Sequence, residues 1–150
     1  SFLQYAKTLN YKIKIHTNGM FDERLKTILA QKLVDHVSLD IKNAPSAYAK
    51  TCGVEDMDLK DIEKSLDLLK QSVVPYDICV TLVDELHNQA TIEELGQWIQ
   101  GVDTVILQPF EDSETTIDHS LHRPSFEVVL KYKKIFEKYV KHVKIRGDQA

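Results

Sequence analysis

The chain switches repeatedly between two hydrophobic periods. Phe2, Tyr5, Ala6 and Leu9 recur at helical spacing, which predicts a helix over Phe2–Leu9. Lys12–Ile15 then alternates polar and apolar, as a half-buried strand does. Asp22 is placed to cap a helix carrying Leu25, Ile28, Leu29 and Leu33 on one face. Period two returns over Val34–Ile41, with Val37, Leu39 and Ile41 on one side. Asp58 is placed to cap a further helix with Leu59, Ile62, Leu66 and Leu69 inward. Tyr76–Val83 is rich in β-formers and reads as a buried strand. Thr91-Ile92-Glu93-Glu94 has the form of a capping box, and Gly101 is placed to close that helix at C′. Val102–Leu107 predicts a fourth strand. Pro124 opens a long helix with Phe126, Val129, Leu130, Phe136 and Val140, and Val143–Ile145 predicts a last short strand.

Alternation of strand and helix implies an α/β fold, with a mostly parallel sheet covered by helices. The connections are unequal. Those from helix to strand are short, at Asn10-Tyr11, Gln71–Pro75 and around Gly101. Those from strand to helix are long, at Asn43–Met57, Asp84–Ala90 and Gln108–Arg123. Long loops in compact domains are usually functional or disordered, and these all lie at the C-terminal edge of the strands, where such sheets bind ligands.

The length, 150 residues, suits a single domain spanning residues 1–150 with a sizeable core. A net charge of -4 gives no electrostatic case for nucleic acid or an anionic membrane as partner. No apolar run approaches a membrane span, and no signal peptide is visible. Cys52 and Cys79 sit in no metal-type spacing, and two reduced thiols in a cytoplasmic protein are expected. The chain starts on Ser1 and runs at once into an apolar stripe, so a fragment that begins inside a domain is expected.

Candidate chemistry clusters at strand ends. His16-Thr17-Asn18-Gly19 follows the first strand and offers a hydroxyl, an amide and a close-approach glycine; it serves equally as a simple Asn-Gly turn. Asp40 and Lys42 are two apart on the second strand and so share a face, as site residues or as a strand-end ion pair. Gln108 ends the fourth strand, where a buried amide needs a partner and a ligand is one candidate. Asp118, His119 and His122 have metal-like spacing but no convincing third ligand, so no metal site is assigned. Glu111, Asp112 and Glu114 read as a solvated acidic face, and Cys79 as core.

Several segments together resemble the radical S-adenosylmethionine activating enzymes of glycyl-radical proteins. They are Lys14-Ile15-His16-Thr17-Asn18-Gly19, Leu33–Lys42 with its ending Asp40-Ile41-Lys42, Ile106-Leu107-Gln108-Pro109-Phe110, and Val143-Lys144-Ile145-Arg146-Gly147. Their order and separations are similar to those of anaerobic ribonucleotide reductase activating proteins, and next to those of pyruvate formate-lyase activases. Two positions depart from the pattern: His16 stands where many activases have Asp, and Cys79 where relatives often have Arg.

The resemblance implies a partial (β/α) barrel of radical SAM type, here lacking its first two βα units and the three-cysteine loop for a four-iron four-sulfur cluster. No cluster is therefore expected on this chain, and no catalytic residue is assigned to it. It implies S-adenosylmethionine as cofactor, with Thr17 and Asn18 lining its pocket, Asp40 and Lys42 at its ribose and methionine end, and Gln108 near the adenine. It implies that the full-length enzyme makes a 5′-deoxyadenosyl radical and installs a glycyl radical on a partner such as anaerobic ribonucleotide reductase. A flavodoxin or ferredoxin would donate the electron. The partner's glycine loop is expected to enter between Asn43–Met57 and Gln108–Arg123. Two other readings stay open: a lyase using Lys42 as a Schiff-base nucleophile, and a non-enzymatic domain that docks a partner.

Overall fold

The computed structural model describes residues 1–147. Its elements run α1 (Phe2–Thr8), β1 (Lys14–Thr17), α2 (Asp22–Ala30), β2 (His36–Asp40), α3 (Pro45–Thr51), α4 (Lys60–Gln71), β3 (Tyr76–Leu82), α5 (Gln89–Trp98), β4 (Thr104–Pro109), α6 (Phe126–Phe136) and β5 (His142–Ile145). The strands are hydrogen-bonded in the order β1-β2-β3-β4-β5, so the sheet is built in chain order. The β1–β2 and β4–β5 pairs are parallel. Val37 N–H donates to Pro75 O and Ile41 N–H to Cys79 O at the same sequence offset, so β2 and β3 also run parallel. Such pairing needs a crossover between strands, and the helices supply it.

The chain divides into two compact units, residues 1–40 with 58–78, and residues 41–57 with 79–150. In the first, Val37, Leu39 and Ile78 form the apolar side of the strands, and Leu25, Ile62, Leu66 and Leu69 bring α2 and α4 onto it, all nearly solvent-free. In the second, Val80, Leu82, Val105 and Leu107 play the same part beneath Ile92, Leu95, Val129, Ile135 and Phe136. Tyr48 of α3 meets Trp98 of α5 edge to face, with centroids 6.1 Å apart.

Several local expectations are corrected. Asp22 is not the cap of α2; it is the first helical residue, buried, with its carboxylate 3.7 Å from Lys64 of α4. An acid in the first turn opposes the helix dipole as usefully as a cap does. The capping box lies earlier than Thr91. Asn88 Oδ1 accepts from Thr91 N–H and Thr91 Oγ1 accepts from Asn88 N–H, both at 3.0 Å. Gln89 and Ala90 are good helix formers, so the helix extends to the better cap. It ends at Trp98, and Gly101 lies beyond its C-cap, donating its N–H to Tyr139 O. The connection after β2 holds α3, opened by Pro45 at its first turn and pinned by buried Tyr48. Pro124 precedes the Ser125 cap of α6, and Val140 is buried beyond that helix's end. Both β1 and β4 start two residues later than the patterning suggests.

Gly19 shows why the turn after β1 has its sequence. Its φ is +78°, and an added Cβ would lie 2.9 Å from Leu39 Cδ1. Ser65 Oγ, buried in α4, donates to Gly19 O at 2.7 Å. Gly101 has a similar φ of +87° but open space around it. Gly19→Ala should therefore lower stability by roughly 2–4 kcal/mol, from a left-handed backbone plus overpacking. Gly101→Ala should cost about 1 kcal/mol, from the backbone term alone. Urea midpoints of the two variants check the difference; equal losses would remove the packing term.

Candidate functional site

In the first unit the register pairs Lys14 with His36, Ile15 with Val37, His16 with Ser38 and Thr17 with Leu39. Paired residues share a face. Lys14, His16, His36 and Ser38 thus lie on one side, and Asp40, two beyond Ser38, continues it. Leu39 is fully buried on the other side and Asp40 is half-buried, as the alternation requires. Thr17 falls on the Leu39 face. Its Oγ1 accepts Gly19 N–H at 3.1 Å, and Asn18 Oδ1 accepts Met20 N–H at 3.1 Å. These two bonds fix the turn. The Asn18 amide nitrogen has no partner among the described residues, and Asn18 is exposed.

The polar side of this unit has a centre that the patterning does not reveal. Asp77 is only 4% exposed although it sits in a β-rich run. It accepts the Ser38 hydroxyl, lies 2.7 Å from His36 Nε2 and 3.3 Å from Lys14 Nζ. Burial pushes the Asp77 carboxyl up, but the Ser38 hydroxyl, His36 and Lys14 together outweigh it and hold the group below the usual carboxylate range. The signal was available in the sequence: a carboxylate inside a buried strand must have donors on its neighbours.

In the second unit, Thr104 pairs with His142 and Ile106 with Lys144, while Val105 and Leu107 pair with Val143 and Ile145 on the buried side. Gln108 is the penultimate residue of β4, half-buried on the Thr104–Ile106 side. Its Oε1 accepts from Arg146 at 3.4 Å, and its amide nitrogen has no partner among the described residues. Lys42 is exposed and lies beyond β2, so it is not a strand residue alternating with Asp40. Its backbone is held on both sides. Lys42 N–H donates to the Tyr48 hydroxyl at 3.3 Å, and Lys42 O lies 3.0 Å from His87 Nε2. The next residue, Asn43, is fully buried; its amide donates to Leu86 O at 2.7 Å and to Thr51 Oγ1 at 3.0 Å. Burial pushes the His87 imidazole below its usual pKa, which keeps it neutral. An exposed Lys42 lacks the desolvation that a Schiff-base lysine requires.

The metal-like spacing after β4 resolves into ion pairs. His119 Nδ1 is 2.9 Å from Asp112, His122 Nδ1 is 2.5 Å from Glu85, and Asp118 accepts from Ser120. Glu111 pairs with Arg123. Among the described residues no group of three or more His, Cys, Asp or Glu could hold a metal ion. No helix of those residues is long and apolar enough to cross a membrane. A groove of about 600 Å³ in the first unit is lined by Phe2, Leu3, Ile28 and Leu33 among others. It is mostly apolar, and its size alone does not outrank the strand ends, where a carboxylate, amides and an ammonium are presented.

No protein-family model matches the chain. It is 28% identical over 148 residues to a Methanocaldococcus jannaschii protein that carries the name, itself provisional, of a glycyl-radical enzyme activating enzyme. The match takes in 95% of this chain and 62% of that protein, so the chain spans less than two thirds of its relative's length. Among solved structures, it resembles a domain of a pyruvate-formate lyase-activating enzyme from Bacteroides vulgatus. The TM-score is 0.73 and the identity 16%, over 97% of this chain and 88% of that one. It also resembles a radical SAM methyltransferase from Sphaerobacter thermophilus, with TM-score 0.76 and 14% identity over 95% of this chain and 43% of that one. The parallel five-stranded sheet with its helices matches the partial barrel fold of these neighbours.

Asp77→Ala should cost about 3 kcal/mol, because Ser38 and Lys14 lose a buried acceptor. The pH dependence has a definite sign. With a folded pKa below the unfolded value of about 3.9, Asp77 contributes fully above that pH, and the contribution is lost as pH falls through the folded pKa. Asp77→Asn should flatten the acid limb of a stability–pH profile below about pH 4. An unchanged acid limb would show that Asp77 is not held as described.

Proposed function

We propose that this chain is part of a radical S-adenosylmethionine activase, which installs a glycyl radical on a partner enzyme. The observation that carries the reading is the set of groups at the C-terminal ends of the strands, on a chain similar over 148 residues to a protein named for that activity. S-adenosylmethionine has an ammonium, a carboxylate and ribose hydroxyls. Recognising them calls for a carboxylate, a cation and amide donors. We assign Asn18 and Asp40 of the first unit and Lys42 and Gln108 of the second to that task. Thr17 shapes the turn that presents Asn18. The half-burial of Asp40 and Gln108, and the amide nitrogens of Asn18 and Gln108, which have no partner among the described residues, support the fit.

When bound, S-adenosylmethionine supplies the radical chemistry, and the protein's share is orientation and shielding. Asp40 accepts hydrogen bonds from the cofactor's polar end. Lys42 offers a fixed positive charge and moves no proton. The segments 43–57 and 108–123 frame the strand ends and receive the partner's glycine loop. Among the described residues no group of three or more His, Cys, Asp or Glu could hold a metal ion. In this reading the cluster belongs to the remainder of the full-length enzyme. The partner is an anaerobic ribonucleotide reductase, or alternatively a pyruvate formate-lyase type enzyme. A flavodoxin or ferredoxin serves as electron donor, and the cytoplasm is the compartment.

The test is made on the full-length reading frame, reconstituted anaerobically with iron and sulfide and then reduced. Added S-adenosylmethionine should yield 5′-deoxyadenosine in proportion to bound iron. Asp40→Ala should weaken cofactor binding by at least about tenfold, the loss expected for a hydrogen bond to a charged group. No product from an iron-loaded wild type would refute the reading, and unchanged affinity in Asp40→Ala would remove that residue from the site.

A further inference from the structure

The turn after β2 rests on a buried polar network confined to the second unit. Main-chain groups at Lys42 need partners, because the strand has ended and the ladder no longer supplies them. Tyr48, only 2% exposed, takes the Lys42 N–H on its hydroxyl at 3.3 Å. His87, 4% exposed, meets the Lys42 carbonyl with Nε2 at 3.0 Å. On the other side of the ring, Val83 N–H donates to His87 Nδ1 at 3.1 Å. Nδ1 also lies 3.2 Å from Val83 O, but the tautomer with its proton on Nε2 satisfies both the Lys42 and the Val83 N–H contacts. Only an imidazole with its proton on Nε2 can donate to Lys42 O and still accept from Val83 N–H. The reverse tautomer could donate from Nδ1 to Val83 O, but it would set two acceptors face to face at Lys42 and strand the Val83 N–H. The main chain of His87 is tied as well, since Tyr132 Oη donates to the His87 carbonyl at 3.0 Å. Asn43 adds a second tie by donating to Leu86 O, so the turns after β2 and β3 are joined at two consecutive residues.

We infer that His87 is a positioning residue for Lys42: its Nε2–H bond to the Lys42 carbonyl fixes the main chain from which that ammonium is presented to the cofactor. The inference rests on the assignment of Lys42 to the cofactor made above, and it adds a residue that touches no ligand. A lysine ammonium is a well-placed point charge only if its backbone is stationary. His87 and Tyr48 together clamp that backbone on both sides of one residue.

Two substitutions separate positioning from folding. The amide nitrogen of Gln reaches the place of His Nε2, so His87→Gln keeps the bond to Lys42. The shorter side chain in His87→Asn reaches only the place of Nδ1, so it keeps the Val83 bond and loses Lys42. In the full-length, iron-reconstituted protein, His87→Asn should weaken S-adenosylmethionine binding roughly three- to tenfold. It should also speed hydrogen exchange at the Lys42 and Ala44 amides. His87→Gln should stay within about twofold of wild type on both readouts. In a Lys42→Ala background, His87→Asn should have no further effect on affinity, as coupled residues behave in a double-mutant cycle. Wild-type affinity and wild-type exchange in His87→Asn would overturn the inference, and so would additive losses in the cycle. If the wild type binds no S-adenosylmethionine, the functional reading fails, and the exchange rates alone then decide whether His87 holds Lys42.

Discussion

Every strand of a parallel sheet ends in backbone groups that the ladder no longer satisfies, and the fold depends on how they are met. Water can meet them only if the turn is exposed and free to move. This protein meets several of them with buried side chains instead. Gly19 O accepts from Ser65 of α4, Lys42 is clamped between Tyr48 and His87, and Asn43 reaches Leu86 O and Thr51. A buried polar group without a partner costs more than the same bond contributes when made. The strand-end turns are therefore held in single conformations, which is the condition for presenting functional groups in fixed positions.

The same constraint explains the two faces of the strands. One face is apolar because helices cover it, and its residues reach near-zero exposure. The other carries polar groups in each unit: Lys14, His36 and Asp77 in the first, and Thr104, Gln108 and Lys144 in the second. A polar sheet face is stable only where its charges are compensated. The Asp77 cluster does this at the N-terminal half of the strands in the first unit.

The succession of strands and helices, α3 excepted, was legible in the hydrophobic periods. Element ends were less so. Asp22 and Thr91 both have the composition of caps, yet the helices begin elsewhere because Lys64 and Asn88 offer better partners. Helix α3 hid inside an apparent loop, since seven residues carry too little periodicity to register and it depends on the burial of Tyr48. Asp40, Asn18 and Gln108 could be picked out because ionisable and amide groups beside apolar runs are conspicuous. His87 could not. Its part depends on contacts with residues four and forty-five positions away, and no local pattern encodes them.

The central claim is that the strand ends, and not the apolar groove beside α1 and α2, form the S-adenosylmethionine site. Hydrogen–deuterium exchange of the intact, iron-loaded protein with and without S-adenosylmethionine tests it most directly. The account predicts new protection confined to the turn 17–19, the segment 40–43 and the end of β4 around Gln108. Protection confined to the groove lined by Phe2, Leu3, Ile28 and Leu33, or none at all, would contradict it.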